Sequence, residues 1–283
     1  MSMKRQLTFI FAAVLLGAGL AHAEQRTAIT IASEGASPPW DFIDASGALV
    51  GFDIDVGQEL CTRMQLKCKF VAQDWDGIIP GLLVKKYDAI MAGMSITEKR
   101  KKSIAFSAPY AVGPNQIVMR RDVGLQPGDT KAKLNLTNMD ASAKETVAKL
   151  RASLTGRILG VLRSSNSEAV VKELFGDVAE VRSYDSQENL KLDLVAQRID
   201  GGLGDYFVWR DFLKTPDGEQ ADFFGPQLSG GTWGPGVGIG LRKEDTDLIA
   251  DFDSALEASI KDGTISRIAE KWFGMDIAPQ LAK

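Results

Sequence analysis

Met94-Ser95-Ile96-Thr97-Glu98-Lys99-Arg100 sets two hydroxyls and a guanidinium close together in the chain, the groups an anion site is made from. A guanidinium can grip a carboxylate through two parallel N–H···O bonds, and Ser95, Thr97 and their backbone N–H groups could add to that grip. The stretch follows an apolar run and opens a charged one, so Thr97 reads as a helix N-cap. The same pattern equally describes an ordinary capped helix with a solvated basic face, and spacing leaves both readings open. Opposite charge is available at Glu34, Asp53 and Asp55, around the first strand and the start of the first helix. These acids either neutralise a cation or simply favour a helix N-terminus. Asp205 follows a strand end and poses the same choice, between a cleft and the cap of a helix at Tyr206. Trp40 and Trp75 read first as core rings, although the flanking Asp74 and Asp76 suggest that Trp75 keeps an exposed face. The glycine run Gly234 to Gly240 has the wrong spacing for a nucleotide loop and continues as a strand instead of opening a helix.

Composition removes several chemistries. The 283-residue chain carries 1 histidine and 2 cysteines, with 33 basic and 37 acidic residues. Lys4 and Arg5 precede an apolar run from Leu7 to Leu20, and Ala21-His22-Ala23 supplies the small residues of a signal-peptidase site. Residues 1–23 therefore read as a signal peptide cleaved after Ala23. The run is shorter than a spanning helix needs, no cysteine offers a lipid anchor at the cut, and no later stretch is long enough to span. Cleavage removes two positive charges and takes the formal net charge from −4 to −6, together with the only histidine, His22. Nucleophilic catalysis that relies on an imidazole base is thereby excluded, and so are zinc sites that need His or four Cys. The acidic balance speaks against nucleic acid. We expect no cofactor and no metal. Cys61 and Cys68, in an exported chain and on either side of a tight helix-to-strand turn, are expected to form a disulfide.

The elements that must position these groups alternate between short apolar runs and amphipathic helical stretches, the pattern of an α/β protein. In the first set we read strands over Thr27–Ala32, Cys68–Ala72 and Tyr87–Ala92. Helices are read over Phe52–Met64 and Trp75–Lys85, with a short one from Thr97. Beyond Gln116–Arg120 the character changes: Asp122–Asp140 reads as a loop, then Ala141–Leu154 as a helix. The second set has strands at Arg157–Leu162, Glu180–Tyr184 and Asp200–Leu203, and helices at Ser167–Phe175, Gln187–Arg198 and Tyr206–Lys214. Gly225–Gly236 reads as a glycine- and proline-rich connection, Gly236–Arg242 as a strand, and Thr246–Lys261 and Ile265–Phe273 as closing helices. The length also favours two lobes over one core. Hinge candidates lie at Ala111–Asn115 and Ser229–Gly236, so lobe 1 comprises 24–112 and 232–283, and lobe 2 comprises 113–231. A ligand is then expected in the cleft between them.

Several stretches together resemble the polar amino-acid family of periplasmic binding proteins, solute-binding family 3. They are similar to its branch for lysine/arginine/ornithine, histidine, octopine and nopaline. These stretches are Gly51-Phe52-Asp53-Ile54-Asp55, Trp75 to Pro80, Tyr87 to Met91, Ser95 to Arg100 and Ala105 to Tyr110. Gly238 to Asp245, Asp262-Gly263-Thr264 and Lys271-Trp272-Phe273 complete the set. The resemblance implies a type II two-lobed fold, a periplasmic and monomeric protein, and delivery of a cationic amino acid or arginine-derived opine to an ABC permease. Arg100 is implied to hold the ligand α-carboxylate, with Ser95, the backbone at Ala92 and Gly93, and the helix start at Ser164, Ser165 and Asn166. Asp205 is implied to meet the α-ammonium and Glu34 and Asp53 the cationic side chain, with Trp40 and Trp75 lining the cleft. The pattern departs at Ser37, where the family has a stacking aromatic, at Asn166, where Thr or Ser is usual, and at Arg163, where Gln or Gly is common. The segment from about Leu125 to Thr155 resembles the opine-binding subgroup, whereas Asp205 points to a primary α-ammonium. The rival expectations are an enzyme on the same scaffold, such as a dehydratase for a cyclic substrate, and a sensory module, which would continue into a membrane helix.

Overall fold

The computed structural model describes residues 26–280, so the apolar leader and its cleavage site lie outside the described residues. The chain starts with β1 (Ala28–Ser33) and a small antiparallel meander of β2 (Ala36–Ser37), β3 (Asp41–Ile43) and β4 (Leu49–Val50). Then come α1 (Phe52–Arg63), β5 (Lys67–Ala72), α2 (Trp75–Leu83), β6 (Ala89–Ile90), α3 (Glu98–Lys101) and β7 (Ala105–Ala111). A second sheet is built from β8 (Asn115–Arg120), β9 (Lys133–Asn135), β10 (Ile158–Leu162), β11 (Glu180–Tyr184), β12 (Gly201–Asp205) and β13 (Ala221–Ser229). Between them run α4 (Ala141–Leu154), α5 (Asn166–Phe175), α6 (Gln187–Val195) and α7 (Tyr206–Phe212). The chain returns to the first sheet through β14 (Val237–Leu241) and ends with α8 (Thr246–Lys261) and α9 (Thr264–Phe273).

The two lobes therefore each hold a mixed sheet, in the orders β5-β1-β6-β14-β7 and β11-β10-β12-β8-β13-β9. Central strands are buried on both faces and read as apolar runs: every residue of β14 is buried, and so are Ile29 and Ile31 of β1. Helices cover them with one apolar stripe each, such as Ile265, Ala269 and Phe273 at four-residue spacing on α9. Two segments cross between the sheets, residues 112–114 and residues 230–236. An aromatic cluster joins the lobes at these crossings. Phe207 of α7 packs at a tilt against Phe273 of α9, with ring centroids 4.5 Å apart, and Phe273 lies 4.9 Å from both Trp40 and Phe52.

The structure departs from the sequence reading where pairing is long-range. Residues 225–229, expected in a glycine-rich connection, belong to β13. A register shift between Phe224 and Leu228 takes up Gly225 and Pro226 as a bulge. Inside the expected loop Asp122–Asp140, β9 pairs with β13 across Leu134 and Leu228. Neither β7 nor the β2-β3-β4 meander was anticipated, and the expected strand Tyr87–Ala92 shortens to Ala89–Ile90.

Cys61 and Cys68 are joined as expected, with 6.1 Å between their Cα atoms, tying the last turn of α1 to the start of β5. For a loop of so few residues the chain-entropy contribution is about 2 kcal/mol. Replacing both cysteines by serine should lower the unfolding free energy of the mature chain by about that amount in urea titration. An unchanged midpoint would show that the unfolded chain is not constrained by the bond.

Candidate functional site

A cavity of about 130 Å³ lies between the two lobes, where the carboxyl ends of β10 and β12 meet the start of α5. Its wall includes Glu34, Trp40, Trp75, Ala92, Gly93, Ser95, Arg100, Ser165, Asn166 and Asp205, from both lobes. Lobe 1 contributes through the β1 end, the turn after β6 and α3; lobe 2 contributes through the β10–α5 turn and the β12 end.

Arg100 is buried, and Thr97 caps α3 by accepting the backbone N–H of Arg100. That cap uses the Thr97 hydroxyl, and Thr97 does not line the cavity, so its expected place beside Ser95 on an anion is not realised. The Arg100 guanidinium lies 5.1 Å from the Trp75 ring centroid and donates to the Ser95 carbonyl at 2.9 Å. It also reaches the Ser164 carbonyl of lobe 2 at 3.4 Å. Ser164 holds φ at +60°, a left-handed conformation that is costly for a non-glycine residue. Its N–H is anchored by Glu168 at 2.7 Å. Burial brings the Arg100 pKa down to about 10, which leaves it cationic at neutral pH. Among the described residues no carboxylate lies within salt-bridge distance of it, so a buried positive charge faces the cavity with carbonyls alone as hydrogen-bond partners. A second contact across the lobes, Arg163 with Asp76, sits on the exposed lip, where such a pair contributes about 0–1 kcal/mol.

Acids face the same cavity. Glu34 accepts the Ser37 hydroxyl at 2.6 Å, and burial raises its pKa. Ser37 thus occupies the wall as a small hydroxyl where an aromatic would have stacked. Asp205 is both cap and cavity residue. One oxygen accepts the N–H groups of Phe207 at 2.8 Å and Val208 at 3.1 Å, while the residue lines the cavity. The two readings left open by the sequence are therefore both realised. Burial pushes Asp205 up to about 6, with the Trp40 indole and those two N–H groups pulling it back.

Asp53 is corrected. Its side chain is fully buried and absent from the cavity wall. One oxygen accepts the Gly93 N–H at 2.6 Å and the other the Tyr110 hydroxyl at 2.7 Å. Gly93, at φ +55°, adopts the left-handed turn that aims its N–H back at Asp53 and lays its backbone against Trp40. Asp53 thus positions the Ala92-Gly93 wall without facing a ligand. Burial lifts its pKa to about 7 and that of neighbouring Asp41 well above the carboxylate range. Asp55 is spent on the surface, accepting Lys271 at 2.6 Å and the Trp272 indole at 2.7 Å.

The sequence reading missed Trp233, Gln187, Asn115 and Ser229, which also line the cavity. No local pattern marks them, because each lies in a hinge or at an element end. The Leu125–Thr155 segment forms β9 and α4, and none of its residues reaches the cavity.

The comparisons agree with this geometry. The family model for bacterial extracellular solute-binding proteins, family 3, matches residues 29–275. The chain belongs to that family. It is 38% identical to the octopine-binding periplasmic protein of Rhizobium meliloti, over 97% of this chain and 99% of the relative. It is 37% identical to the L-arginine-binding protein of Pseudomonas aeruginosa, over 88% of this chain and 89% of the relative. A solved structure of an ancestral arginine-binding protein bound to arginine superposes with a TM-score of 0.73 at 32% identity, covering 88% of this chain and 99% of that one. The type II two-lobed architecture and the solute-binding reading both stand on these likenesses.

The raised carboxyls set a pH dependence for the ligand-free family member. A buried acid with an elevated folded pKa binds a proton more tightly folded than unfolded. Its contribution is present below the unfolded value of 3.8 and is lost as pH rises through about 6 for Asp205 and about 7 for Asp53. Ligand-free protein should therefore show a lower urea midpoint at pH 8 than at pH 5, and Asp205→Asn should flatten part of that slope. A midpoint that rises over this interval would contradict the assignment.

Proposed function

We propose that this chain is the periplasmic substrate-binding component of an ABC importer for a cationic amino acid or an arginine-derived opine. Arginine, ornithine, lysine, octopine and nopaline are the candidates. The observation that carries the reading is the buried, acid-free guanidinium of Arg100 at one cavity whose wall also holds the carboxyls of Glu34 and Asp205. A zwitterion with an extra cation is the complement of that arrangement. Its α-carboxylate would take the free N–H groups of Arg100, with Ser95, the Ala92-Gly93 backbone and the start of α5 at Ser165 and Asn166. Its α-ammonium would meet Asp205, and its cationic side chain would run toward Glu34 between Trp75 and Trp40.

The lobes, residues 24–112 with 232–283 and residues 113–231, would close by bending at the two crossing segments. Arg100 to Ser164 and Arg163 to Asp76 both bridge the lobes and support a closed state as the one described. The mature monomer would begin at Glu24 after export and hand its ligand to a membrane permease. Binding and release need no covalent step, and the enzyme alternative has no observation of its own in the cavity. Because the Leu125–Thr155 segment stays clear of the cavity, its likeness to opine binders gives no direct ligand contact, and Asp205 weighs toward a protonated α-nitrogen.

A thermal-shift panel should show stabilisation by members of the candidate set, since a ligand that binds only the native state raises its melting temperature. A response confined to acidic or apolar amino acids would overturn the reading. Arg100→Ala should weaken binding by about 100-fold or more, the scale of removing one partner from a buried charge pair. Affinity for a cationic ligand should fall as pH drops through about 6, because Asp205 must lose its proton to meet an ammonium. A flat profile between pH 5 and pH 7.5 would remove Asp205 from that role.

A further inference from the structure

Two hydrogen-bond donors in the cavity wall have no partner. The indole Nε1 of Trp233 and the side-chain amide Nδ2 of Asn166 are both buried, in residues 6% and 9% exposed, and neither finds an acceptor among the described residues. A buried donor left unpaired is costly, so native proteins rarely keep one without a ligand or a water to fill it. An indole nitrogen can only donate. Trp233 lies in the 3-10 turn Gly231–Trp233, which packs against α5, whose first residue is Asn166. The two donors thus come from adjoining elements that line the cavity together with Arg100, and the backbone at Gly234 beside them comes up against the Ile96 carbonyl.

The turn is clamped in place. The Leu136 N–H donates to the Ser229 carbonyl at 2.8 Å, and the Gly231 N–H donates to the Thr137 hydroxyl at 2.9 Å. Gly230 and Gly231, at φ +69° and +54°, make the bend that precedes Trp233, and a Cβ on Gly230 would collide with Asn135. Strand β9 and Asn135-Leu136-Thr137 all belong to the extra segment of lobe 2. That segment reaches the ligand cavity only by holding the strap that carries Trp233.

We propose that Trp233 Nε1–H and the Asn166 side-chain amide form a second acceptor subsite, which takes the additional carboxylate of an N-carboxyalkyl derivative of a basic amino acid. The inference rests on the proposed function, which supplies the first carboxylate at Arg100 and the ammonium at Asp205. A secondary amine carrying two carboxylates remains protonated at neutral pH, so it can still satisfy Asp205 while its second carboxylate turns to the unpaired donors. Plain arginine has no second carboxylate to offer them.

The test compares calorimetric affinities for octopine and arginine in the wild-type mature chain and in Trp233→Phe, which keeps the ring and deletes only the N–H. Octopine affinity should fall by about tenfold or more, the scale of a hydrogen bond to a charged group, while arginine affinity stays within about threefold. Trp233→Met, which also deletes the N–H, provides a second reading of the same ratio if the phenylalanine variant fails to fold. Equal losses for both ligands, or no loss for octopine, would overturn the subsite. Wild-type protein that binds arginine but not octopine would overturn the subsite and leave the proposed function standing. Wild-type protein that binds neither these two nor ornithine or lysine would bring down the proposed function itself.

Discussion

A guanidinium buried between two lobes without a carboxylate beside it is the constraint around which this molecule is arranged. Taking such a charge out of water costs several kcal/mol unless hydrogen bonds and a counter-charge answer it. The protein answers only in part, with two carbonyls and the face of Trp75. In the proposed function a solute carboxylate supplies the counter-charge. One of those carbonyls, at Ser164, lies in the other lobe, so the partial answer itself depends on the lobes being together. The side chain proposed to recognise the solute is thus also one that bridges the lobes.

The opposite wall obeys the same physics with the sign reversed. Burial raises Glu34 and Asp205, and it raises Asp41 and Asp53 behind them. The roles divide by what each oxygen already touches. Asp53 has both oxygens engaged, by Gly93 and Tyr110, and so serves as scaffold. Asp205 spends one oxygen on the cap of α7 and still borders the cavity. Behind Trp40, rings from α1, α7 and α9 pack together, edge to face between Trp40 and Phe52 and tilted between Phe273 and its neighbours Trp40 and Phe207.

Local signals carried much of the fold. The helices over Ala141–Leu154 and Thr246–Lys261 are legible because a 3.6-residue apolar stripe and polar flanks need no distant partner. Thr97 as a cap, and the pairing of Cys61 with Cys68 across a short turn, are local for the same reason. Ten of the eleven candidate contact residues read from the sequence border one cavity, although only Trp75, Ser95 and Arg100 of them lie in the stretches that carry the resemblance. What escaped was non-local. Strand β9 exists because β13 pairs with it roughly ninety residues away, and a glycine and proline in β13 disguise that strand until the bulge absorbs them.

The sequence by itself determined an α/β chain whose one histidine lies in a leader read as a signal peptide, with a cysteine pair placed for a disulfide, a basic cluster at Arg100 and acids able to face a cation. These follow from residue type, short spacing and resemblance. Tertiary structure alone decided which acids look into the cleft, because burial and partner count depend on residues far off in the chain. Asp53 meets its partners 40 and 57 positions away, and nothing near it announces them. The same holds for Trp233, an unremarkable aromatic in a glycine-rich strap until β9 and Thr137 fix the strap and place the residue in the cavity wall.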